Sequence, residues 1–495
     1  MIRKIFAGVC LSLALLCIVP AGGREAPLDC YTIAVGKGAS ADGSVLVGHN
    51  EDDGGNIIVN LCKVKARDYG SPQKVALGRG AVYETDGKTN GFLWIEATTQ
   101  EFADSFVNQY GVLVTSDSCA SKETKADLTD GGIGYMLRRL VAEKAASARD
   151  AVLLASALVE KFGYRGSGRT YTFADKNEAW MFQVIRGRHW AARRIPDDEV
   201  AVIPNHYTIR EIDPDDRDHF LSSRDLVGYA EASGWYDEAK DGRFDFKKAF
   251  ARSSGPDLVS DRNTLRHWRG LNLLGAGKWE IADTYPFSFK PGKKVTVESL
   301  IALLRDHYEG TEYDATDDYK LGTPNRTKFR CICTASTINS FVASLNAGLP
   351  EPISVSLWLA IGKPDTTIYL PLYYGIESLP PAAGLGPDVH DYESFAKRHF
   401  DDAELKAEKD RLLHTKFLAL QSAAESDYAV MRGVIEKELM PAEREFLAGR
   451  SRIESEIAAL YVKDKSEARR RLTAYVASAF GKVSAIYDRL LKKRP

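Results

Sequence analysis

For its length the chain has little sulfur and little histidine: 7 cysteines, 5 methionines and 9 histidines in 495 residues. It also has almost no net charge, with 66 Lys and Arg against 68 Asp and Glu, a formal balance of −2. That argues against a dedicated nucleic-acid binder, which would show a basic stripe. Beyond residue 23 no run is long and apolar enough to cross a bilayer, so no stable membrane anchor is expected. His-Glu-x-x-His, Gly-x-Ser-x-Gly and Gly-x-x-x-x-Gly-Lys are all missing. No two histidines stand four apart, and Cys331-x-Cys333 is too tight for a common zinc knuckle. The sequence therefore points to no metal and no cofactor.

The start of the chain does carry a signal. Arg3 and Lys4 precede an uncharged apolar run from Ile5 to Val19, followed by Pro20, Ala21, Gly22 and Gly23. Residues 1–23 read as a secretory signal peptide, short for a membrane span, and the protein is expected to be secreted or periplasmic. Cys10 and Cys17 leave with that leader. Cys30, Cys62, Cys119, Cys331 and Cys333 remain, an odd number, so at least one stays free or pairs outside the chain. Residues 24–29 read as a short propeptide. A cut at Asp29–Cys30 would give the mature chain a thiol and a free α-amine on one residue. These groups titrate near ~8.5 and ~7.7–8.0 and can act as nucleophile and base at neutral pH.

Strand and helix signals mix up to about residue 379. Tyr31–Val35 and Ser44–Val47 flank a turn at Ala41–Gly43 and read as a hairpin. Gly111–Thr115 and Val200–Ile203 are further β-rich runs. Arg169–Ala174, Ala179–Ile185 and His189–Arg194 form an antiparallel meander. Ala148–Phe162 has helical periodicity, Thr296 is placed to cap a helix over Val297–His307, and Ser340–Leu345 is a shorter helical candidate. These signals describe an α+β domain of stacked layers over residues 30–379. A Pro/Gly-rich stretch at 380–387 then leads into a helical extension over 388–495, read as two to four helices. Its stripe of Val476, Phe480, Val483, Tyr487 and Leu490 is expected to pack on the main domain.

The segment from Cys30 to Ser44, followed by Gly48-His49-Asn50-Glu51-Asp52, resembles the start of the secreted dipeptidase A family. These are cysteine peptidases related to secernins, within the N-terminal-nucleophile hydrolase superfamily. The resemblance continues, in the family's order, at Phe173–Trp180, Gly187–Trp190, Arg194–Asn205, Arg305–Gly310 and Leu357–Gly362. It implies a four-layer αββα sandwich of two antiparallel sheets and a cut before Cys30, autocatalytic or assisted by signal peptidase. The new N-terminal residue would then hydrolyse short peptides. The α-amine would take the thiol proton, and oxyanion donors would hold the tetrahedral intermediate.

The resemblance also implies partners. Asp52 would hold the α-amine, Asn205 would donate to the oxyanion, and Arg266 would lie near the nucleophile, with Arg269 competing for that role. Ser116 or Asp117 would contribute donors to substrate. Bile-salt hydrolases and penicillin V acylases, distant cousins, carry an arginine beside the thiol. His49 stands at the matching position, a departure that many dipeptidase relatives do not share. An amidase acting on non-peptide amides is the alternative function. A third reading is a binding protein whose helical tail recruits a partner. Small peptides are the expected partners, and a homo-oligomer is left open.

Overall fold

The computed structural model describes residues 30–53, 57–252, 262–316, 323–325, 329–384 and 392–492. The leader and the 24–29 segment lie outside the described residues, as do residues 385–391 of the Pro/Gly-rich stretch and its sequel.

Two antiparallel sheets stack face to face. The first has the order β14 (Val200–Ile203), β1 (Tyr31–Val35), β2 (Val45–Asp52), β16 (Thr337–Leu345), β17 (Val355–Ile361), β18 (Leu370–Tyr373). The second runs β15 (Phe220–Ser222), β13 (Trp190–Arg194), β12 (Ala179–Gly187), β11 (Tyr164–Ala174), β10 (Leu113–Ser118), β9 (Ser105–Asn108), β8 (Phe92–Ala97), β3 (Val59–Val64). Two small ribbons pair β4 (Arg67–Asp68) with β7 (Lys88–Thr89) and β5 (Gln73–Ala76) with β6 (Val82–Thr85). Alternation along a strand sorts side chains between layers. On β8, Leu93, Ile95 and Ala97 join the core between the sheets, while Phe92 and Trp94 join the core beneath the helices.

Helices cover both outer faces, giving the expected α+β four-layer sandwich. Helices α1 (Met136–Lys144) and α2 (Ala148–Phe162) lie on the second sheet. Ser147 caps α2 by accepting from the Asp150 amide. Three short helices, α3 (Leu226–Ala232), α4 (Glu238–Asp241) and α5 (Phe246–Phe250), follow β15. Helices α6 (Arg262–Leu274) and α7 (Val297–Leu304) lie on the first sheet. Thr296 and Ser299 form a capping box on α7, as the Thr296 signal predicts, but the helix stops at Leu304 rather than His307. Gly270 lets α6 lie close to β1: a Cβ there would sit 2.4 Å from the Tyr31 hydroxyl.

The extension comprises α8 (Tyr392–Phe400), α9 (Ala403–Glu408), α10 (Leu413–Ser426), α11 (Tyr428–Glu438), α12 (Met440–Lys463) and α13 (Lys465–Lys492). That is six α-helices among the described residues, not two to four. Asp402, Asp427 and Asp464 stand at the breaks, and the latter two cap the next helix by accepting from the Val430 and Glu467 amides. The Val476–Leu490 stripe is buried and continues the inter-sheet core. Each such side chain contributes roughly 1.5–3 kcal/mol, against ~1 kcal/mol or less for an exposed ion pair, so the apolar stripe does most of the docking. Arg305 at the end of α7 adds a bidentate pair with Glu443 of α12, both contacts 2.7 Å.

The hairpin and the meander form as expected, and β2 extends to Asp52. The Ser340–Leu345 segment is a correction. It belongs to β16, a central strand paired on both edges and buried along its whole length, so no polar face marks its two-residue period. No helix of the described residues is long and apolar enough to cross a membrane.

Candidate active site

Cys30 stands at the entry to β1, and its thiol shares a face with Thr32 because side chains two apart point the same way. On the neighbouring β2, Thr32 lies opposite His49. These side chains and Glu51 look into the space between the sheets. The Cys30 thiol donates to Glu51 Oε1 at 2.9 Å. The other Glu51 oxygen lies 3.1 Å from His49 Nε2, and His49 Nδ1 lies 2.7 Å from Thr32 Oγ1. Thr32 Oγ1 donates to Asp117 Oδ2 of the facing sheet at 2.7 Å. A continuous polar chain thus runs from the thiol to the second sheet, and all five residues are fully or almost fully buried.

The opposite face of the same hairpin carries the second group. Tyr31 and Asn50 turn toward α6 and α7: the Tyr31 hydroxyl donates to the Arg266 carbonyl, and Asn50 Nδ2 donates to the carbonyls of Leu304 and Ile332. Arg266 reaches back from α6 and donates to the Cys30 carbonyl at 3.1 Å and to Asn205 Oδ1 at 2.7 Å. Its Nη1 lies 4.0 Å from Asp52 Oδ2. Asp52 also accepts from Arg330 at 3.1 Å and from Thr337 at 2.5 Å. A register shift in β16 between Thr337 and Asn339 brings Thr337 opposite Asp52. Asn205 follows β14, the other neighbour of β1, so three strands and one helix meet at Cys30.

Electrostatics keep the thiol protonated. Burial raises its pKa well above the ordinary value, and Glu51, Asp117 and Asp52 raise it further, while Arg169 of β11 pulls the other way. Burial also lifts Asp52 to about 6, against the fields of Arg330 and Arg266. It lifts Asp117 to about 7, against His49 and the Thr32 hydrogen bond. Such a thiol needs a base before it can attack a carbonyl. Fixed donors nearby can stabilise an oxyanion.

Cys30, Asp52, Asn205 and Arg266 therefore come together, and His49 joins them through Glu51. Arg269 does not compete: it forms a bidentate pair with Asp306, with contacts from 2.6 to 2.9 Å. Ser116 is not brought to the thiol. Strand alternation turns its hydroxyl toward α1, where it receives hydrogen bonds from Arg138 and Arg169, each 3.2 Å. The neighbouring Asp117 takes the thiol's face. Glu51, Thr32, Arg330 and Thr337 went unpredicted. Period-two alternation through Gly48–Asp52 would have placed Glu51 beside Cys30, whereas nothing local marks Arg330 or Thr337.

Two groups of potential metal ligands occur among the described residues, each within 4.8 Å: Cys30 with His49 and Glu51, and His307 with Cys333 and Asp365. The first is the polar chain just described. In the second, Asp365 accepts from Asn325 at 2.9 Å and from the Tyr428 hydroxyl at 3.1 Å, and Glu309 lies 3.2 Å from His307 Nδ1. It ties the segment after α7 to α11. All five cysteines among the described residues are buried, and none of them is joined in a disulfide there.

The family model of Peptidase family C69 matches residues 29–397. The chain belongs to peptidase family C69. As a C69 member it is a hydrolase of peptide bonds. It is 27% identical over 385 residues to a probable dipeptidase of Salmonella dublin, covering 74% of this chain and 85% of the relative. It is 28% identical over 372 residues to dipeptidase A of Lactobacillus helveticus, covering 72% and 77%. Among solved structures it is similar to penicillin V acylase from Agrobacterium tumefaciens, with TM-score 0.31, 12% identity and coverage of 66% and 90%. It is also similar to a mutant of conjugated bile acid hydrolase from Clostridium perfringens, with TM-score 0.29, 11% identity and coverage of 70% and 92%.

Proposed function

We propose that this C69 peptidase is an exported dipeptidase whose nucleophile is the Cys30 thiol, made N-terminal by a cut at Asp29–Cys30. The observation that carries this reading is that Arg266 of α6 donates to the Cys30 carbonyl while meeting Asn205, just past β14, and Asp52, at the end of β2. The cut releases the Cys30 nitrogen as an amine. Asp52 orients that amine and stabilises it when protonated. The amine takes the thiol proton, and Sγ attacks the peptide carbonyl. The Asn205 amide, oriented through its Oδ1 by Arg266, turns its NH₂ toward the oxyanion. The ammonium then protonates the leaving amine, and water, deprotonated by the same amine, hydrolyses the thioester. The dipeptidase names of the relatives support the substrate class.

Intact mass and N-terminal sequencing of the exported protein test the first step, with Cys30 expected as the first residue. A fully active protein that keeps residues upstream of Cys30 overturns the mechanism. Cys30→Ala is expected to abolish dipeptide cleavage with the fold intact.

A further inference from the structure

We propose that Asp117, aided by Glu51, forms a subsite for the free α-ammonium of the substrate's N-terminal residue. The proposal rests on Cys30 being the nucleophile. Asp117 is fully buried on β10, facing Thr32 of β1. Its Oδ2 accepts from Thr32, but its Oδ1 is buried with no hydrogen-bond partner. Among the described residues no Lys or Arg nitrogen lies within ion-pair distance of it. A buried carboxylate oxygen without a donor is unfavourable unless some state of the protein supplies one.

Substrate chemistry supplies that donor. In a dipeptide the attacked carbonyl carbon is bonded to the Cα that carries the ammonium. With the reacting atoms ~3–3.5 Å apart, the ammonium nitrogen falls within about 6 Å of Sγ. Along β1, Cys30 and Thr32 share the inner face about 6.6 Å apart, so the Thr32–Asp117 contact is within reach of the ammonium. Glu51 supplies the second negative group, since its Oε1 already sits 2.9 Å from Sγ. This surrounding is anionic where the cousins' arginine would make it cationic. It favours an aminoacyl group over a neutral acyl group, whose oxygen or alkyl chain would leave Asp117 Oδ1 without a donor. Substrates with an unblocked amine are thereby selected over N-acylated dipeptides and simple acyl amides.

The groups facing Asp117 are Thr32 and Cys30 from β1, His49 and Glu51 from β2 and Cys119 just beyond β10, with Arg169 on the adjoining strand. Binding should improve as Asp117 ionises, so KM for a free dipeptide should fall as pH rises through about 7. The direct test compares Ala-Ala with N-propionyl-alanine, which differs by the amine alone. Wild type is expected to prefer Ala-Ala by at least 100-fold in kcat/KM. Asp117→Asn is expected to raise KM for Ala-Ala tenfold or more, with a smaller change in kcat, and to shrink the preference. A measurement on wild type stands whether or not that variant folds: alaninamide should inhibit competitively at least tenfold more tightly than propionamide. Equal inhibition by the two amides, or an unchanged preference in a folded Asp117→Asn, overturns the subsite. Failure of the nucleophile assignment looks different, since Cys30→Ala would then still cleave Ala-Ala.

Discussion

Arg266 and Asn205 meet at 2.7 Å, and the same guanidinium holds the Cys30 carbonyl at 3.1 Å. One side chain from α6 therefore fixes the Cys30 backbone and the orientation of the Asn205 amide. Removing it should damage catalysis more than binding. Arg266→Lys is expected to lower kcat by roughly 10²-fold, the scale of one lost oxyanion donor. Arg269→Lys, whose partner is Asp306, should lower thermal stability and leave kcat within a few-fold. Steady-state kinetics with thermal melts on both variants checks this contrast.

Gly270 governs how closely α6 approaches β1. Gly270→Ala gains helix propensity of about 1 kcal/mol but drives a methyl into the Tyr31 hydroxyl and Val202. The clash is expected to dominate, with a lower melting temperature and a lower kcat as Arg266 shifts away from Cys30.

The thiol of Cys30 donates to Glu51, and that carboxylate's charge opposes ionisation. Glu51→Gln should lower the thiol pKa. Alkylation by iodoacetamide, followed across pH, should show its midpoint displaced downward by about one unit or more. An unmoved or raised midpoint would contradict the electrostatic role assigned to Glu51.

Burial lifts Asp117 from an ordinary carboxylate value to about 7. Below pH ~4 the group is protonated in both folded and unfolded chains. As pH rises toward 7 the unfolded chain releases this proton first, so the contribution of Asp117 to stability falls across that window. Asp117→Asn carries no such proton. Its stability relative to wild type should therefore rise between pH 4 and 7, measured by denaturant unfolding at several pH values. The buried histidines shift in both directions and act on both proteins alike, so the difference is the informative quantity.

Glu443 of α12 holds Arg305 and accepts from the Tyr369 amide at 2.7 Å. Glu443→Ala leaves a largely buried guanidinium without its carboxylate and should cost about 3–5 kcal/mol. Thermal melts should show the helical extension and the sandwich loosening together, because they share one core.

Patterns confined to a few residues were legible in the sequence. The turn at Ala41–Gly43 between two β-rich runs specified the hairpin that carries Cys30 and Asp52. The Arg169–Arg194 meander, the Thr296 cap and the Val476–Leu490 stripe were readable for the same reason. Each depends on backbone dihedrals, hydrogen bonds or periodicity set locally. The buried strand β16 was not, because burial on both faces erases alternation. Asp52, Asn205 and Arg266 were named through family resemblance, spread over more than 200 positions of chain, whereas the place of Cys30 after the leader marked it already.

Only the tertiary structure decided which groups touch. It chose Arg266 over Arg269, because α6 turns one toward β1 and the other toward Asp306. It chose Asp117 over Ser116, because one step along a strand reverses the face. Sequence by itself determined that a cysteine stands at the mouth of a strand, since that is a matter of local order. Whether its thiol meets a cation or carboxylates depends on strand pairing and sheet stacking: β2 brings Glu51 and Asp52 near it, and the facing sheet brings Asp117.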